Sequence, residues 1–145
     1  MIVPDVNLLI YAYNDQAPQH RPAREWWEDL LNGQTPVGLP WITISGFIRL
    51  MTHPRILVTP LDVPSTLAHV RAWLAQPPVR VLQPGSRFET LFLDYLAQLG
   101  TAGNLTTDAQ LAALAVEQQA ELHSTDSDFA RFAGLRWVNP LESRT

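Results

Sequence analysis

Short apolar segments typical of β-strands alternate with longer segments of helical periodicity along the whole chain of 145 residues. The strand-like segments are residues 2–5, 37–41, 79–82, 121–125 and 136–138. No repeat, low-complexity tract or interdomain linker interrupts this order. Because strands that alternate with helices pair in parallel and are covered by helices on both sides, the pattern predicts an α/β fold, a three-layer α/β/α sandwich with a parallel sheet. The length of the chain predicts a single domain over residues 1–145.

Prolines and glycines bound the helical segments. These are residues 6–13, where a turn or a short helix is expected, then 22–31, 43–52, 64–75, 86–99 and 107–119, and a helical turn at 129–132. In segment 43–52 the apolar residues recur at i, i+3, i+4 and i+7, which predicts one buried helix face. Pro4 breaks a local rule, because a proline in a central strand removes a ladder donor.

The chain contains neither cysteine nor lysine, and their absence limits the kinds of metal site and catalytic reaction that it supports. There is no cysteine, so a metal ion would be held by carboxylate, histidine or water. There is no lysine either, since all ten basic residues are arginine, and P-loop nucleotide binding or Schiff-base chemistry is poorly supported. The net charge of −4 does not favour broad adhesion to nucleic acid. RNA binding by this chain would therefore have to be local or assisted by a metal ion.

The sequence predicts neither a membrane segment nor a secretory leader. No apolar run approaches the roughly 20 residues that cross a bilayer. The first residues also lack the basic region that precedes the apolar stretch of a signal peptide. We therefore expect a cytoplasmic protein that does not associate with a membrane.

Four aspartates fall where ligands bind in parallel α/β sheets, which is beyond the carboxyl ends of the strands. Asp5 ends the first strand-like segment, Asp126 directly follows the fourth, and Asp128 lies two residues further on. Asp108 opens the helix that leads into the fourth strand. Such a helix runs antiparallel to that strand, so its N-terminus lies at the same edge. The topology thus predicts that these four acids converge.

Converging carboxylates repel one another, and a divalent cation removes that conflict. Oxygen ligands without cysteine indicate Mg²⁺ or Mn²⁺, which can lower the pKa of a bound water and neutralise a phosphodiester. It is equally open that these aspartates do not share a metal site and instead have separate structural roles. Asp108 could be a first-turn residue inside a capping box of Thr107 and Gln110, and Asp126 and Asp128 could be turn residues.

Three short motifs resemble a known family. They are Asp5-Val6-Asn7 after the first strand, Thr107-Asp108-Ala109 at the start of an alanine-rich helix, and the segment from His123 to Phe129. In order and spacing the chain resembles the PIN-domain family, specifically VapC-type toxin ribonucleases, over essentially its whole length. The resemblance implies Mg²⁺- or Mn²⁺-dependent hydrolysis of RNA, a cognate antitoxin that blocks the site, and a homodimer.

The resemblance also implies roles for individual residues. Asp5, Asp108 and Asp126 match the catalytic, metal-binding acids of the family, and Asp128 matches a more variable supporting position. Asn7 matches a small polar residue that would orient the first acid by a hydrogen bond. An ordinary helix-start role for Asn7 is equally open.

One position departs from the family pattern. Where the family commonly carries a glutamate on the helix of segment 43–52, this chain has Gly46. We interpret Gly46 as a variation within a subgroup, since the other acids are intact and Mg²⁺ accepts mostly water ligands. The alternative is a degenerate, non-catalytic PIN fold that binds RNA or a protein.

Arg49 and Arg55 are candidates for binding substrate phosphates, because a guanidinium group offers a bidentate fork to phosphate oxygens. A solvated surface role is the simpler alternative for each. An aspartyl-phosphate phosphatase or receiver domain also begins with acids at strand ends, but position 7 is Asn and lysine is absent. That third class ranks last.

Overall fold

A computed structural model describes residues 1–142 and shows a parallel five-stranded sheet. The strands are β1 (Ile2–Pro4), β2 (Val37–Pro40), β3 (Val79–Leu82), β4 (Glu121–His123) and β5 (Arg136–Val138). Their order in the sheet is β3-β2-β1-β4-β5, and every neighbouring pair is parallel. The central strand is therefore β1, and β4 lies directly beside it.

In the described part of the chain, six helices cover the two faces of the sheet. They are α1 (Val6–Tyr13), α2 (His20–Leu31), α3 (Trp41–Met51), α4 (Val63–Leu74), α5 (Phe88–Leu99) and α6 (Leu105–Glu117), and a 3₁₀ turn spans Ser127–Arg131. Helices α1 to α4 pack on one face, and α5 and α6 pack on the other. The predicted three-layer α/β/α sandwich is confirmed. No helix among the described residues is both long and apolar enough to span a bilayer.

The two cores differ in how they are filled. Under α1 to α4, Trp73 packs edge-on against Trp27 and Phe47, with ring centroids 5.4 and 4.6 Å away. On the other face, α6 presents fully buried alanines to the sheet, among them Ala109 and Ala112. Small side chains allow that helix to approach the strands closely, and this fixes the position of its N-terminus.

Pro4 is accommodated in the central strand because its nitrogen faces a side where pairing has ended. Ile2 N donates to Pro36 O on the β2 side, and Asp5 N donates to His123 O on the β4 side, both at 2.9 Å. Backbone N–H groups alternate along a strand, so the nitrogen of Pro4 faces β2 as that of Ile2 does. The pairing of β1 with β2 covers only the first residue of β1. No ladder bond is lost there.

Several predicted boundaries shift by one or two residues. Helix α6 begins at Leu105 rather than at position 107, and β4 ends at His123 rather than at position 125. Trp41, predicted as the last residue of a strand, instead starts α3 after Pro40. The short β4 matters most, because it leaves Ser124 and Thr125 outside the regular ladder at the edge where the acids lie.

Candidate metal centre

Asp5 is held rigidly between β1 and the start of α1. It is the N-cap of α1, and its Oδ1 accepts a hydrogen bond from Val6 N at 2.7 Å. Its other oxygen, Oδ2, accepts a hydrogen bond from Ser124 Oγ at 2.7 Å. The cap satisfies a backbone donor that the helix leaves free, and the serine ties β1 to the segment after β4. Both oxygens of Asp5 are thus fixed in direction.

Ser124 also fixes the second acid of the edge. Its Oγ accepts a hydrogen bond from Asp126 N at 3.0 Å, and Asp126 Oδ1 in turn accepts one from Asp128 N at 2.9 Å. Ser124 is fully buried. No role was predicted for Ser124, although this residue directly follows a buried strand at the edge where the acids were expected. Its position directly after β4 was the sequence feature that could have identified Ser124 as a residue of the site.

Asp108 lies in the first turn of α6. The capping box that offered an alternative role is wrong, because Asn104 rather than Thr107 is the N-cap, and no side chain caps the helix. Thr107 lies inside the helix, since α6 begins two residues earlier than expected. A negative charge in this turn still interacts favourably with the helix dipole, so part of the structural alternative remains.

The structure brings three of the acids into one tight group. Asp108, Asp126 and Asp128 each offer one carboxylate oxygen, and these three atoms lie within 4.8 Å of one another. Asp5 is outside this tightest group, but its charge raises the pKa of Asp108, and the charge of Asp126 raises the pKa of Asp5. All four predicted acids therefore meet at one edge, and Asp128 belongs to the tight group there.

Burial and mutual repulsion raise the pKa of two of these carboxyl groups. The pKa of Asp108 rises from 3.8 to about 6, chiefly through burial, with further increases from the charges of Asp5, Asp126 and Asp128. The pKa of Asp5 is also raised, mainly by burial, although hydrogen bonds from Ser124 and Val6 act against that rise. The site therefore holds negative charge at a cost in free energy.

These residues fit a hard divalent cation. Three carboxylate oxygens at such spacing, with no cysteine or histidine in the group, are a donor set that Mg²⁺ and Mn²⁺ accept together with water. A cation at this point would be attracted by the same charges that raise the pKa of Asp108. The donor set thus agrees with the cofactor expected from the sequence.

Comparison with known proteins identifies the family. Residues 2–135 match the family model of the PIN domain. The chain belongs to the PIN-domain family. Its VapC-type relatives include Ribonuclease VapC33 of Mycobacterium tuberculosis, 50% identical over 141 residues, which cover 97% of this chain and 99% of the relative. Ribonuclease VapC37 of the same organism is 39% identical over 140 residues, which cover 97% of each chain.

Solved structures show the same fold. This PIN domain aligns with Mycobacterium tuberculosis VapC20, described as a sarcin–ricin loop cleaving toxin, with a TM-score of 0.69 at 17% identity, over 94% of this chain and 99% of that one. It aligns equally with a chain of VapBC2 from Rickettsia felis, with a TM-score of 0.69 at 17% identity, over 96% and 98%. The family resemblance read from the sequence motifs is confirmed.

Asn7 does not contact Asp5 by a hydrogen bond, contrary to the role that the resemblance implied. Its Nδ2 donates to Thr125 Oγ1 at 3.1 Å, across to the segment that follows β4. Its Oδ1 is buried and has no hydrogen-bond partner among the described residues. In this PIN domain Asn7 therefore positions the segment that carries Asp126.

Gly46 lies against the helix that Asp5 caps. A Cβ atom built at Gly46 would meet Val6 Cγ2 at 3.3 Å, which is closer than most real contacts. A glutamate here would need Val6 to shift by a few tenths of an ångström, directly beside Asp5. The close approach of α3 to α1 thus gives a packing reason for a glycine at this position.

Arg49 and Arg55 lie away from the acids. Helix α3 begins at the acidic edge, directly after β2, and exposed Arg49 is in its last turn. Arg49 is eight positions beyond Trp41, which is about 12 Å along a helix axis. Arg55 is exposed in the turn beyond α3. Neither is brought together with the aspartates, and phosphate binding by these arginines stays a prediction.

The pKa of Asp108 predicts a pH dependence. Because this pKa is higher in the folded chain than the ordinary 3.8, the folded protein binds more protons between about pH 4 and 6, and its stability falls as pH rises through that range. We expect the melting temperature of metal-free wild type to fall relative to that of Asp108→Asn as pH rises over this window.

Protons should also weaken Mn²⁺ binding roughly tenfold at pH 5 compared with pH 7. Calorimetry at both pH values measures this, and unchanged affinity would contradict it.

Proposed function

We propose that this protein is a Mg²⁺- or Mn²⁺-dependent endoribonuclease and the toxin of a toxin–antitoxin pair. The observation that carries the proposal is the tight group formed by Asp108, Asp126 and Asp128 in a chain 50% identical to a protein named Ribonuclease VapC33. The group supplies a place for a cation, and the relative's name supplies the class of reaction.

The residues of the edge have distinct parts in this proposal. Asp108, Asp126 and Asp128 would hold the cation, and Asp5 adds charge beside them. When bound, the cation supplies a Lewis acid that activates water and neutralises phosphate oxygens. Hydrolysis consumes one water: its oxygen would bond to phosphorus, one P–O bond of the RNA backbone would break, and the leaving oxygen would take up a proton. Without a cation, four carboxylates repel the phosphodiester, so substrate approach itself depends on the metal ion.

The same proposal includes an antitoxin. Solved VapBC structures to which this fold is similar include VapBC-1 from nontypeable Haemophilus influenzae, with a TM-score of 0.67 at 19% identity over 98% of this chain and all of that one. We infer that a cognate protein binds this chain and covers the acidic edge. A homodimer and a cytoplasmic location, where RNA is accessible, complete the proposal. Sedimentation analysis of the purified chain tests the dimer.

A second candidate function rests on Gly46. Without the glutamate that the family commonly carries there, the chain would be a non-catalytic PIN fold that binds RNA or a protein. The three aspartates of the tight group argue against this alternative, because a binding module has no need for acids that repel each other and an RNA backbone. Metal affinity separates the two functions.

Metal dependence is the direct test of the proposal. Purified protein should cleave single-stranded or structured RNA with Mg²⁺ or Mn²⁺ and should lose that activity when EDTA removes the cation. Activity should return when Mn²⁺ is restored in excess. Cleavage that persists in EDTA would contradict the metal-dependent mechanism. If no RNA is cut and calorimetry detects no Mn²⁺ binding at millimolar concentration, the non-catalytic alternative is correct.

A further inference from the structure

A small apolar pocket opens beside the acidic edge. It has a volume of about 180 Å³ and lies between the start of α3, the segment that follows β3, and α6. Its lining includes Trp41, Leu82, Gln83, Phe88 and Gln110. The pocket is smaller than the roughly 300–1,000 Å³ of sites for drug-sized ligands. Its size suits one planar ring system rather than an extended ligand.

The pocket and the acids lie at the same edge of the sheet. Asp5 follows β1 and Asp126 lies beyond β4, whereas Trp41 and Gln83 of the pocket directly follow β2 and β3. Thr43 Oγ1, in the first turn of α3, donates a hydrogen bond to Pro4 O, the carbonyl directly before Asp5, and so ties the start of α3 to the end of β1. Neighbouring strands lie about 4.8 Å apart, so the pocket beyond β2 and β3 is roughly two strand spacings from the acids, within reach of an RNA strand held there.

The chemistry of the lining favours a neutral aromatic group. No charged side chain of residues 1–142 lines the pocket, so these residues offer no ion pair there to a phosphate or a carboxylate. Trp41 is 52% exposed, which is unusual for so large an apolar side chain. The side-chain amides of Gln83 and Gln110 make no hydrogen bond with any described residue. Each amide offers both donors and an acceptor, as the edge of a nucleobase requires.

We propose that this pocket, the base pocket, receives one unpaired nucleobase of the RNA next to the cleaved phosphodiester. Trp41 stacks on the base, and the amides of Gln83 and Gln110 bind its edge. Recognition of single-stranded RNA commonly combines such stacking with hydrogen bonds to base edges. The inference rests on the proposed function, because it assumes RNA at the acidic edge, and it makes the substrate single-stranded at that point.

The test combines removal of the tryptophan with removal of the base. Short RNA oligonucleotides that lack one base at successive positions are bound to the full chain in Ca²⁺, which takes oxygen ligands as Mg²⁺ does. Fluorescence anisotropy measures binding. We expect Trp41→Ala to weaken binding of intact RNA about 5- to 150-fold, as removal of one base–aromatic stack does. Removal of the base at one position should weaken binding by the same factor. Trp41→Ala combined with removal of that base should weaken binding no further than either change alone.

Matched variants define the other outcomes. Leu93→Ala removes a side chain of similar exposure, 54%, from α5 and should bind RNA as wild type does. Gln110→Ala should change which base is preferred at the coupled position. The base pocket is wrong if the effects of Trp41→Ala and of base removal are additive, or if Trp41→Ala behaves like Leu93→Ala. It is also wrong if Trp41→Ala leaves RNA binding intact and weakens only the binding of a protein encoded beside this one.

The same oligonucleotides with Mg²⁺ separate this inference from the function on which it rests. If the effects of Trp41→Ala and of base removal are not additive but wild type cuts no RNA, the nuclease proposal is wrong and the base pocket is supported. If wild type cuts RNA but the effects of Trp41→Ala and of base removal are additive at every position, only the base pocket is wrong.

Discussion

Replacing Asp126 by asparagine is expected to lower metal-dependent RNA cleavage by at least about 100-fold, as loss of a group that stabilises transition-state charge does. Asp126 is the acid whose charge acts on both Asp5 and Asp108, and it also belongs to the tight group with Asp128. An asparagine retains Oδ1, which accepts the hydrogen bond from Asp128 N, so the local turn should persist. The charge is lost while the backbone is retained.

The measurement is kcat/KM on one RNA substrate at saturating Mg²⁺, with Mn²⁺ affinity measured by calorimetry. Asp94→Asn is the matched control, because Asp94 is an exposed carboxylate on α5 outside the acidic group. The melting temperature of metal-free Asp126→Asn should equal or exceed that of wild type, since one repelling charge has been removed. An Asp126→Asn variant that cuts as fast as wild type would overturn the acidic-site mechanism.

Replacing Ser124 by alanine is expected to weaken Mn²⁺ binding about 10- to 100-fold, the usual cost of removing a group that orients metal ligands. The Ser124 hydroxyl donates to Asp5 Oδ2 and accepts from Asp126 N. Its removal frees one carboxylate, leaves a backbone N–H without its acceptor, and removes an interaction that lowers the pKa of Asp5. The pKa of Asp5 therefore rises further, which favours the neutral form of this acid.

A purely structural role for Ser124 would leave the pH profile unchanged, so the profile is the deciding measurement. The acid limb of activity should move to higher pH in Ser124→Ala, and Mn²⁺ affinity should recover in part at alkaline pH. Ser127→Ala, an exposed serine three residues later, is the control and should behave as wild type. Equal pH profiles for the two variants would show that Ser124 does not act through Asp5.

The convergence of the acids could be predicted from sequence because it follows from topology alone. Once the order of strands and helices indicates a parallel sheet, Asp5 and Asp126 must leave the carboxyl ends of their strands at one edge. Asp108 joins them because the helix that precedes a parallel strand starts at that edge. The prediction needed no side-chain geometry, and boundary errors of two residues did not affect it.

The hydrogen bonds of the site could not be predicted in the same way. The family resemblance implied that Asn7 orients Asp5, whereas Asn7 bonds to Thr125 and Ser124 bonds to Asp5. Both partners lie more than a hundred residues away in sequence, and a change of one residue in the end of β4 alters which side chain faces the acid. Such hydrogen bonds depend on strand register and side-chain rotamers, and the periodicity of the sequence does not determine either.

The sequence by itself therefore determined the parallel α/β fold, the family, and the four acids at one sheet edge, because these follow from the order of elements and the spacing of motifs. Only the tertiary structure decided which acids are close enough to share a cation, how far the pKa of Asp108 rises, and where an apolar pocket opens beside them. These properties depend on distances and burial between side chains far apart in the chain, and such distances are set only when the two cores pack against the sheet.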